Sequence, residues 1–219
     1  MIRLHHCPQT RSMRTLWLLH EIGCPFEVEV HPFGKNLRTS EFLGLSPAGR
    51  VPALEIDGQV IWETGAITQV LCERFPEAGL GRPVESPERA EWLIWLHFSE
   101  TVSAHSATLT QQHVMLYEDH MRSPILTRLE AKRLAKCYAA VERQLSDGRA
   151  SLLKGGISAA DISVGQAIYM ARHFARLKPF EALSAWYARI SERPGFAAAL
   201  PQPGQALLYE QDFYDPLEV

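Results

Sequence analysis

Two short motifs hold the residues best suited to chemistry: GRVPAL at positions 49–54 and ETGAI at positions 63–67. The first places Pro52 at the entrance of an apolar strand, where a strand edge beside a loop can offer unpaired backbone groups. The second places an acid and a hydroxyl at the start of an amphipathic helix, whose first N–H groups lack partners within the helix. Because helix N-termini bind carboxylates, the two motifs together predict a site for a small peptide with a free carboxylate.

Hydrophobic periodicity and turn residues predict the elements that position these motifs. In chain order they are a strand over 2–5, a helix over 12–22, a strand over 26–30, a loop over 31–38, a short helix over 40–45, strands over 51–56 and 59–62, and a helix over 63–75. Ser12 is a possible cap of the first helix and Gly23 fits its end, while Asp57-Gly58 is a hairpin signal. A strand–helix–strand start favours parallel pairing and the hairpin adds antiparallel strands, so we predict a small mixed sheet with helices on both faces.

The second half of the chain has a different composition. Residues 76–87 are rich in proline and glycine and predict a linker. The helical patterns after it cover 88–117, 125–146, 159–174 and 182–191, and Pro194-Gly195 interrupts them. Ser158 and Asp161 have the spacing of a capping box at the start of one helix. We therefore predict two domains, 1–78 and 88–219, of which the second is all helical.

Composition excludes several classes of function. The chain has 219 residues and a formal net charge of −3, which argues against a nucleic-acid or anionic-membrane partner. No apolar run is long enough to span a bilayer and positions 1–8 lack a signal-peptide pattern, so the cytoplasm is the expected location. The four cysteines form no Cys-x-x-Cys pair, and neither they nor the nine histidines have zinc-ligand spacing. The sequence therefore predicts neither a disulfide framework nor a metal site.

Taken together, these motifs resemble those of the cytosolic glutathione S-transferase superfamily. The residues that carry the resemblance are Pro8, Arg14, the segment SPAGRVPAL at 46–54, the segment ETGAI at 63–67, Ser158 and Asp161. The resemblance implies a thioredoxin-like N-terminal domain with a mixed four-stranded sheet, followed by a C-terminal domain that is a helical bundle. It also implies that the protein binds glutathione and a small hydrophobic electrophile, and that it forms a homodimer.

The resemblance further implies how glutathione is held. A cis Val51-Pro52 bond would turn the backbone N–H and C=O of Val51 toward the cysteinyl unit; a trans proline that opens an edge strand is the alternative. Glu63 and Thr64 would meet the ammonium group and the carboxylate of the γ-glutamyl unit. The alternative for these two residues is a simple helix cap with an acid that suits the helix dipole.

Three cations are available for the glycine carboxylate of the ligand. Lys35 and Arg50 are the residues that we expect there, since each lies in or beside the expected groove. A solvated surface charge is the better interpretation of Arg38.

The reactive centre should lie in the turn over 8–14, at the N-terminus of the first helix. A free thiol has a pKa of about 8.5, and both a hydroxyl donor and a helix N-terminus favour the thiolate. Thr10 aligns best with the serine of the serine-type classes, so it is our first choice as hydrogen-bond donor to the sulfur. Ser12 is the second choice, with the helix cap as its alternative role. Cys7 could form a mixed disulfide with glutathione, but a buried free cysteine is favoured.

These residues predict a glutathione transferase, with two alternatives on the same scaffold. One is a non-catalytic glutathione-binding protein, suggested by the unusual turn QTRS at positions 9–12. The other is a glutathione-dependent isomerase or peroxidase. The electrophile is expected near the first long C-terminal helix or under a tail over 209–215; the polar and aromatic residues of that helix include Trp92, Trp95, His97, His105 and Gln112.

Overall fold

The computed structural model describes residues 1–217. By their contacts these residues form two compact units. The first unit contains Met1–Arg89 and Glu192–Leu208, and the second contains Ala90–Ser191 and the described residues from Tyr209 onward. The domain boundaries expected from the sequence, 1–78 and 88–219, stay a prediction.

The strands of the described residues all lie in the first unit, whereas helices occur in both. The strands are β1 (Ile2–His6), β2 (Glu27–Val30), β3 (Ala53–Ile56) and β4 (Gln59–Trp62). The α-helices are α1 (Ser12–Ile22), α2 (Ser40–Leu45), α3 (Thr64–Arg74), α4 (Arg89–Thr110), α5 (Pro124–Leu145), α6 (Ala159–Ala171), α7 (Glu181–Ser191) and α8 (Pro194–Ala199). Short 3-10 helices cover Lys35–Arg38, Pro76–Ala78 and Asp119–Met121, and a π-helical turn covers Gln111–Met115.

The four strands form one mixed sheet in the order β2-β1-β3-β4. Strand β1 pairs with β2 in parallel, with Leu4 opposite Val28, and pairs with β3 in the antiparallel sense. This topology confirms the predicted thioredoxin-like fold of the N-terminal region. Leu4, Leu54 and Ile56 are at most 1% exposed, so the two central strands form the apolar centre of the sheet.

The hairpin between β3 and β4 follows the sequence signal. Asp57 and Gly58 both have positive φ, 48° and 79°, as the tight primed turns of hairpins require. Strand β3 begins at Ala53, two residues later than predicted, because Pro52 has no N–H to donate to a strand ladder.

Helix α1 begins and ends at the predicted residues, but it is not capped as expected. The N-cap residue is Arg11, and no side chain makes a capping hydrogen bond there. The interpretation of Ser12 as the cap is therefore wrong, because Ser12 already lies in the first turn of the helix. Gly23 ends the helix with φ at 75°, as predicted. Every residue from Ser12 to Leu19 is buried, so the helix forms a large part of the core of the first unit.

Helix α8 packs against α1 in the first unit, although the sequence pattern did not predict it. The rings of Trp17 and Phe196 meet edge to face with centroids 4.9 Å apart. The Glu21 carboxylate accepts hydrogen bonds from Trp17 Nε1 at 2.9 Å and from the Arg193 guanidinium at 2.9 and 2.6 Å. A Cβ at Gly195 would lie 2.7 Å from Glu21 Oε1, so a larger residue there would require the Glu21 side chain to move.

The second unit is helical, as predicted. Its buried centre includes α6, where the expected capping box of Ser158 and Asp161 is present. The Asp161 carboxylate also accepts hydrogen bonds from the Leu152 N–H at 2.8 Å and from Trp186 Nε1 at 3.1 Å. Asp161 therefore connects three segments of the unit. Among the described residues, no helix combines the length and the apolar character needed to cross a membrane.

Candidate functional site

A small open pocket lies in the first unit, where the start of α3 meets the loop before β3. Its lining residues are Arg11, Ser46, Ala48, Arg50, Val51, Pro52, Trp62, Glu63 and Thr64. Five of the predicted site residues are thus brought together around one opening. Lys35 is not among them: it is exposed on the 3-10 helix Lys35–Arg38.

The loop before β3 is shaped by its own short-range hydrogen bonds. Ser46 Oγ accepts from the Arg50 N–H at 3.3 Å, and the Ser46 carbonyl accepts from the Gly49 N–H at 2.8 Å. Gly49 has φ at 60°, and a Cβ there would lie 2.8 Å from the Leu37 carbonyl oxygen. The glycine is therefore required twice, by its backbone conformation and by the close approach of Leu37.

The Val51-Pro52 peptide bond is cis, as the resemblance implied. The N–H and C=O of Val51 have no hydrogen-bond partner within residues 1–217. Val51 is half-buried and lines the pocket, immediately before the ladder of β3 begins at Ala53. An extended peptide in the pocket can therefore pair with this residue as a short added strand would.

The start of α3 forms the other wall of the pocket. Thr64 is the first residue of the helix, where backbone N–H groups lack intrahelical partners and carry partial positive charge. Glu63 precedes it with φ at 78° and ψ at 117°, an uncommon conformation for a residue with a side chain. Its exposed side chain makes no capping hydrogen bond, which argues against a role as a simple cap. The pocket thus contains an acid beside an anion-binding helix end.

Two lining residues add features that the sequence analysis did not assign to the site. Arg11, the N-cap of α1, brings a guanidinium to the pocket in addition to that of Arg50. Trp62, at the end of β4, is 42% exposed and offers an aromatic face. Arg11 could have been predicted from the sequence, because it follows Thr10 directly at a helix N-terminus. A cation and the helix dipole favour the same anion there.

The two predicted hydroxyl donors lie next to this pocket in sequence but are largely enclosed. Ser12 is 0% exposed, and its Oγ lies 2.8 Å from both His6 Nδ1 and Thr10 Oγ1 while accepting from the Cys7 N–H at 3.0 Å. Thr10 is 8% exposed, and its hydroxyl donates to the Cys7 carbonyl at 2.8 Å. Neither residue is part of the pocket lining. In this arrangement both hydroxyl groups are used within the turn.

Burial also fixes the protonation of the two neighbours of these hydroxyls. Desolvation lowers the pKa of His6 to about 4, against the opposing effect of its hydrogen bond with Ser12. Desolvation raises the pKa of the Cys7 thiol to about 11. At neutral pH, His6 is therefore a neutral hydrogen-bonding partner and Cys7 is a protonated thiol. Cys7 is 2% exposed, which supports the interpretation as a buried free cysteine rather than a reactive one.

Residues expected near the electrophile have structural partners inside the second unit. Trp92 is fully buried and Trp95 is 8% exposed, so both belong to the core. His105 Nδ1 lies 2.6 Å from the Glu130 carboxylate, and the Gln112 side-chain oxygen accepts from the Ser123 N–H at 2.6 Å. His97 is exposed, and in the tail over 209–215 the ring of Tyr209 stacks on His173 with centroids 4.2 Å apart.

Comparisons with known proteins identify the family of the chain. The sequence model for the glutathione S-transferase N-terminal domain matches residues 6–74, and that for the C-terminal domain matches residues 108–202. The glutathione S-transferase-like protein LUC7 from Fusarium sp is 30% identical over 76% of this chain and 78% of its own length. Glutathione S-transferase 3 from Schizosaccharomyces pombe is 24% identical over 89% of this chain and 84% of its own.

A solved structure extends the likeness to the arrangement of the backbone. The glutathione transferase URE2P8 from Phanerochaete chrysosporium, crystallised with oxidized glutathione, is 25% identical and has a TM-score of 0.81. The match covers 90% of this chain and 92% of that one. With both domain types matched in order and the motifs of the pocket in place, the chain belongs to the glutathione S-transferase superfamily.

Proposed function

We propose that this protein binds glutathione and conjugates its thiolate to a small hydrophobic electrophile. One observation carries the proposal: a single pocket combines the unpaired backbone of Val51 with the N-terminus of α3, next to Glu63 and two arginines. A γ-glutamyl tripeptide needs these groups, because it has an ammonium group, two carboxylates and an extended backbone.

Each part of glutathione has a matching group in this proposal. The cysteinyl unit pairs with the N–H and C=O of Val51, next to Pro52. The γ-glutamyl carboxylate binds at the first N–H groups of α3, beginning with Thr64, and its ammonium group meets Glu63. Arg50 binds the glycine carboxylate, and Lys35 is the more distant candidate for the same carboxylate.

The thiolate is stabilised from the start of α1. We assign the hydrogen bond to Thr10, which is 8% exposed, because Ser12 is fully enclosed and holds Thr10 in position through their 2.8 Å contact. The guanidinium of Arg11 and the positive end of the helix dipole lower the thiol pKa further. The thiolate then attacks the electrophilic carbon, a C–S bond forms, and a leaving group such as chloride departs with the electron pair.

A second candidate function is glutathione binding without turnover. It is favoured by the bond from the Thr10 hydroxyl to the Cys7 carbonyl, because a proton donated there is not available to a thiolate. Catalysis requires Thr10 to exchange this bond for one to sulfur when glutathione arrives. The isomerase and peroxidase alternatives would use the same bound thiolate, with glutathione as cofactor or reductant.

Calorimetric titration with glutathione, followed by an aryl halide conjugation assay, separates the two candidates. For a transferase we expect Thr10→Val to lower turnover by about tenfold or more with an unchanged glutathione Kd, since a hydrogen bond to a charged group contributes ~1.5–3 kcal/mol. Thr10→Ser, the matched control, keeps the hydroxyl and should retain most of the activity. Binding without turnover in the unmodified protein would favour the binding function, and the absence of binding would contradict both.

The proposal includes a homodimer that works in the cytoplasm. The resemblance sets the dimer contact at the helix over 63–74 and at the helix after Pro87. Ile94 on α4 is 64% exposed, as an apolar residue at a subunit contact would be in an isolated chain. Light scattering on the purified protein measures the oligomeric state directly.

A further inference from the structure

A second cluster of chemically competent side chains lies in the first unit, outside the glutathione pocket. It consists of His5 on β1, Glu29 on β2 and His31, which directly follows β2. The parallel register sets His5 opposite Glu29, and the His31 N–H continues the pairing by donating to the His6 carbonyl. Sheet pairing therefore brings His5 to Glu29 and His31, although His5 is more than twenty residues away from them in the sequence.

The donor atoms of the three side chains lie close enough together for one metal ion, within 4.8 Å of one another. His5 Nδ1 lies 2.9 Å from His31 Nε2, and the two Glu29 oxygens lie 3.6 Å from these nitrogens, one from each. Ligands bound tetrahedrally to zinc at about 2.0–2.2 Å are roughly 3.4 Å from one another. The three observed separations bracket this value. We propose that His5, Glu29 and His31 bind a divalent transition metal ion, with Zn²⁺ as the ion to test.

The surroundings of His5 support a metal site. Its other ring nitrogen, Nε2, lies 3.0 Å from Glu55 Oε1. The carboxylate can accept a hydrogen bond from a proton on Nε2, and in that tautomer Nδ1 has a lone pair for a metal. Histidine ligands of metals nearly always have such an outer partner. The Phe42 ring packs edge-on against both imidazoles, with centroids 6.1 and 5.0 Å away, and restricts their rotation.

The three side chains of the cluster differ in exposure: the two histidines are enclosed, and Glu29 is open to solvent. The side chain of His5 is 3% exposed and that of His31 is 16% exposed, whereas that of Glu29 is 52% exposed. An ion can therefore enter from the Glu29 side, and the fourth tetrahedral position is left for water. Two imidazoles and one carboxylate favour zinc, nickel or copper over magnesium and calcium, which prefer oxygen ligands alone.

The ordinary alternative is a hydrogen-bonded histidine pair with a nearby acid. The two interpretations differ in what they require of Glu29 and Glu55. A histidine pair does not need either carboxylate, whereas a metal site needs Glu29 as ligand and Glu55 as positioning residue. A bound ion would also stabilise the folded protein in proportion to its concentration, because the unfolded chain does not bring the three residues together.

The experiment uses the full chain without an affinity tag, stripped of metal by a chelator that is then removed. We expect Zn²⁺ to bind with one ion per chain in calorimetry and to raise the unfolding temperature, while Mg²⁺ does neither. Glu29→Gln and His31→Ala should each weaken Zn²⁺ binding by about tenfold or more, and Glu55→Gln by roughly 10- to 100-fold. Glu29 is exposed, so its variant tests the ligand without disturbing the core.

The matched control is His120→Ala. His120 also lies near an acid, with its Nδ1 3.2 Å from the Glu118 carboxylate, but both side chains are exposed. His120 does not belong to the cluster of His5, Glu29 and His31. This variant should bind Zn²⁺ as the unmodified chain does. The proposal is overturned if Zn²⁺ shows no saturable binding. It is equally overturned if Glu29→Gln and His31→Ala, with unfolding temperatures like that of the metal-free parent, retain full Zn²⁺ affinity.

Discussion

Helices α1 and α3 begin in similar ways but present their first residues to solvent very differently. A non-glycine residue with positive φ lies near the start of each helix: Gln9 at 53°, three residues before Ser12, and Glu63 at 78°, directly before Thr64. The Gln9 side-chain oxygen accepts a hydrogen bond from the Leu208 N–H at 2.7 Å, and Gln9 is 7% exposed. Glu63 lines the pocket, and its exposed carboxylate has no hydrogen-bond partner among the described residues.

The difference in exposure suggests that the start of α3 serves ligand binding and the start of α1 serves the reaction. Directly before α3 the Glu63 side chain is exposed, so binding can use it without breaking an existing side-chain hydrogen bond. At α1 the hydroxyls of Thr10 and Ser12 serve the turn itself, so chemistry requires one of them to change partner. Binding should therefore tolerate changes at Thr10 and Ser12, and folding should tolerate a change of the Glu63 side chain.

The largest effect that this comparison predicts is an acid sensitivity at the start of α1. The pKa of His6 is about 4 in the folded chain and about 6.5 in the unfolded chain. Above pH 6.5 the ring is neutral in both states, so its contribution to the free energy of unfolding is fully present there. As the pH falls from 6.5 to 4, the unfolded chain takes up the proton first, and the free energy of unfolding should fall by on the order of 3 kcal/mol.

Urea unfolding at a series of pH values measures this effect. His6→Asn keeps a hydrogen-bonding side chain but removes the titration, so its stability should be lower at neutral pH and should change less with acidification. Parallel curves for the two proteins would show that His6 is not the source of the acid sensitivity.

Next in size is the loss of the Ser12 hydroxyl. Ser12→Ala leaves the buried Cys7 N–H without its acceptor, so the free energy of unfolding should fall by roughly 2 kcal/mol. The control lies on the same helix: Thr15 Oγ1 is buried without a hydrogen-bond partner in the described chain, so Thr15→Val should be neutral or stabilising. Equal losses in the two variants would mean that the contribution of Ser12 is packing alone.

The open helix end should show the opposite behaviour. Glu63→Gln removes the charge that we propose meets the ligand ammonium group, and calorimetry should record a glutathione Kd about tenfold higher, equal to ~1.4 kcal/mol. The free energy of unfolding should not fall, because no hydrogen bond to residues 1–217 is lost. Glu41→Gln, an exposed acid on α2, is the control and should leave the Kd unchanged.

The smallest effect concerns the cations at the glycine end of the ligand. Arg50 lines the pocket and Lys35 does not, so Arg50→Ala should weaken glutathione binding more than Lys35→Ala. Both residues are exposed, so the difference should be within ~1 kcal/mol. A larger loss of binding for Lys35→Ala would assign the glycine carboxylate to Lys35 and contradict its assignment to Arg50.

Local patterns predicted the parts of the fold that depend on neighbouring residues. Gly23 and Asp57-Gly58 predict turns because these residue types adopt the positive φ that the turns need. The bounds of α1 and α2 follow from short-range periodicity. Helix α8 was missed because six residues are too few for a periodic pattern, and its position depends on Glu21, which is distant in the sequence.

The same distinction applies to the sites. Val51 and Glu63 are close enough in the chain for a hairpin to bring them together, so their shared pocket could be predicted. The enclosure of Thr10 depends on the path of the turn, which residue types do not specify. The cluster of His5 and His31 depends on the register of β1 with β2, and no sequence spacing reports that register.

The backbone of Glu63 has a consequence for how this chain could change over generations. A residue with a side chain in its conformation destabilises the fold by about 1–3 kcal/mol, whereas glycine adopts positive φ readily. Selection for heat resistance alone would therefore replace Glu63 by glycine and would remove the carboxylate from the pocket. In the proposed function, the acid at this position is retained for ligand recognition, and a descendant with glycine there would have exchanged recognition for stability.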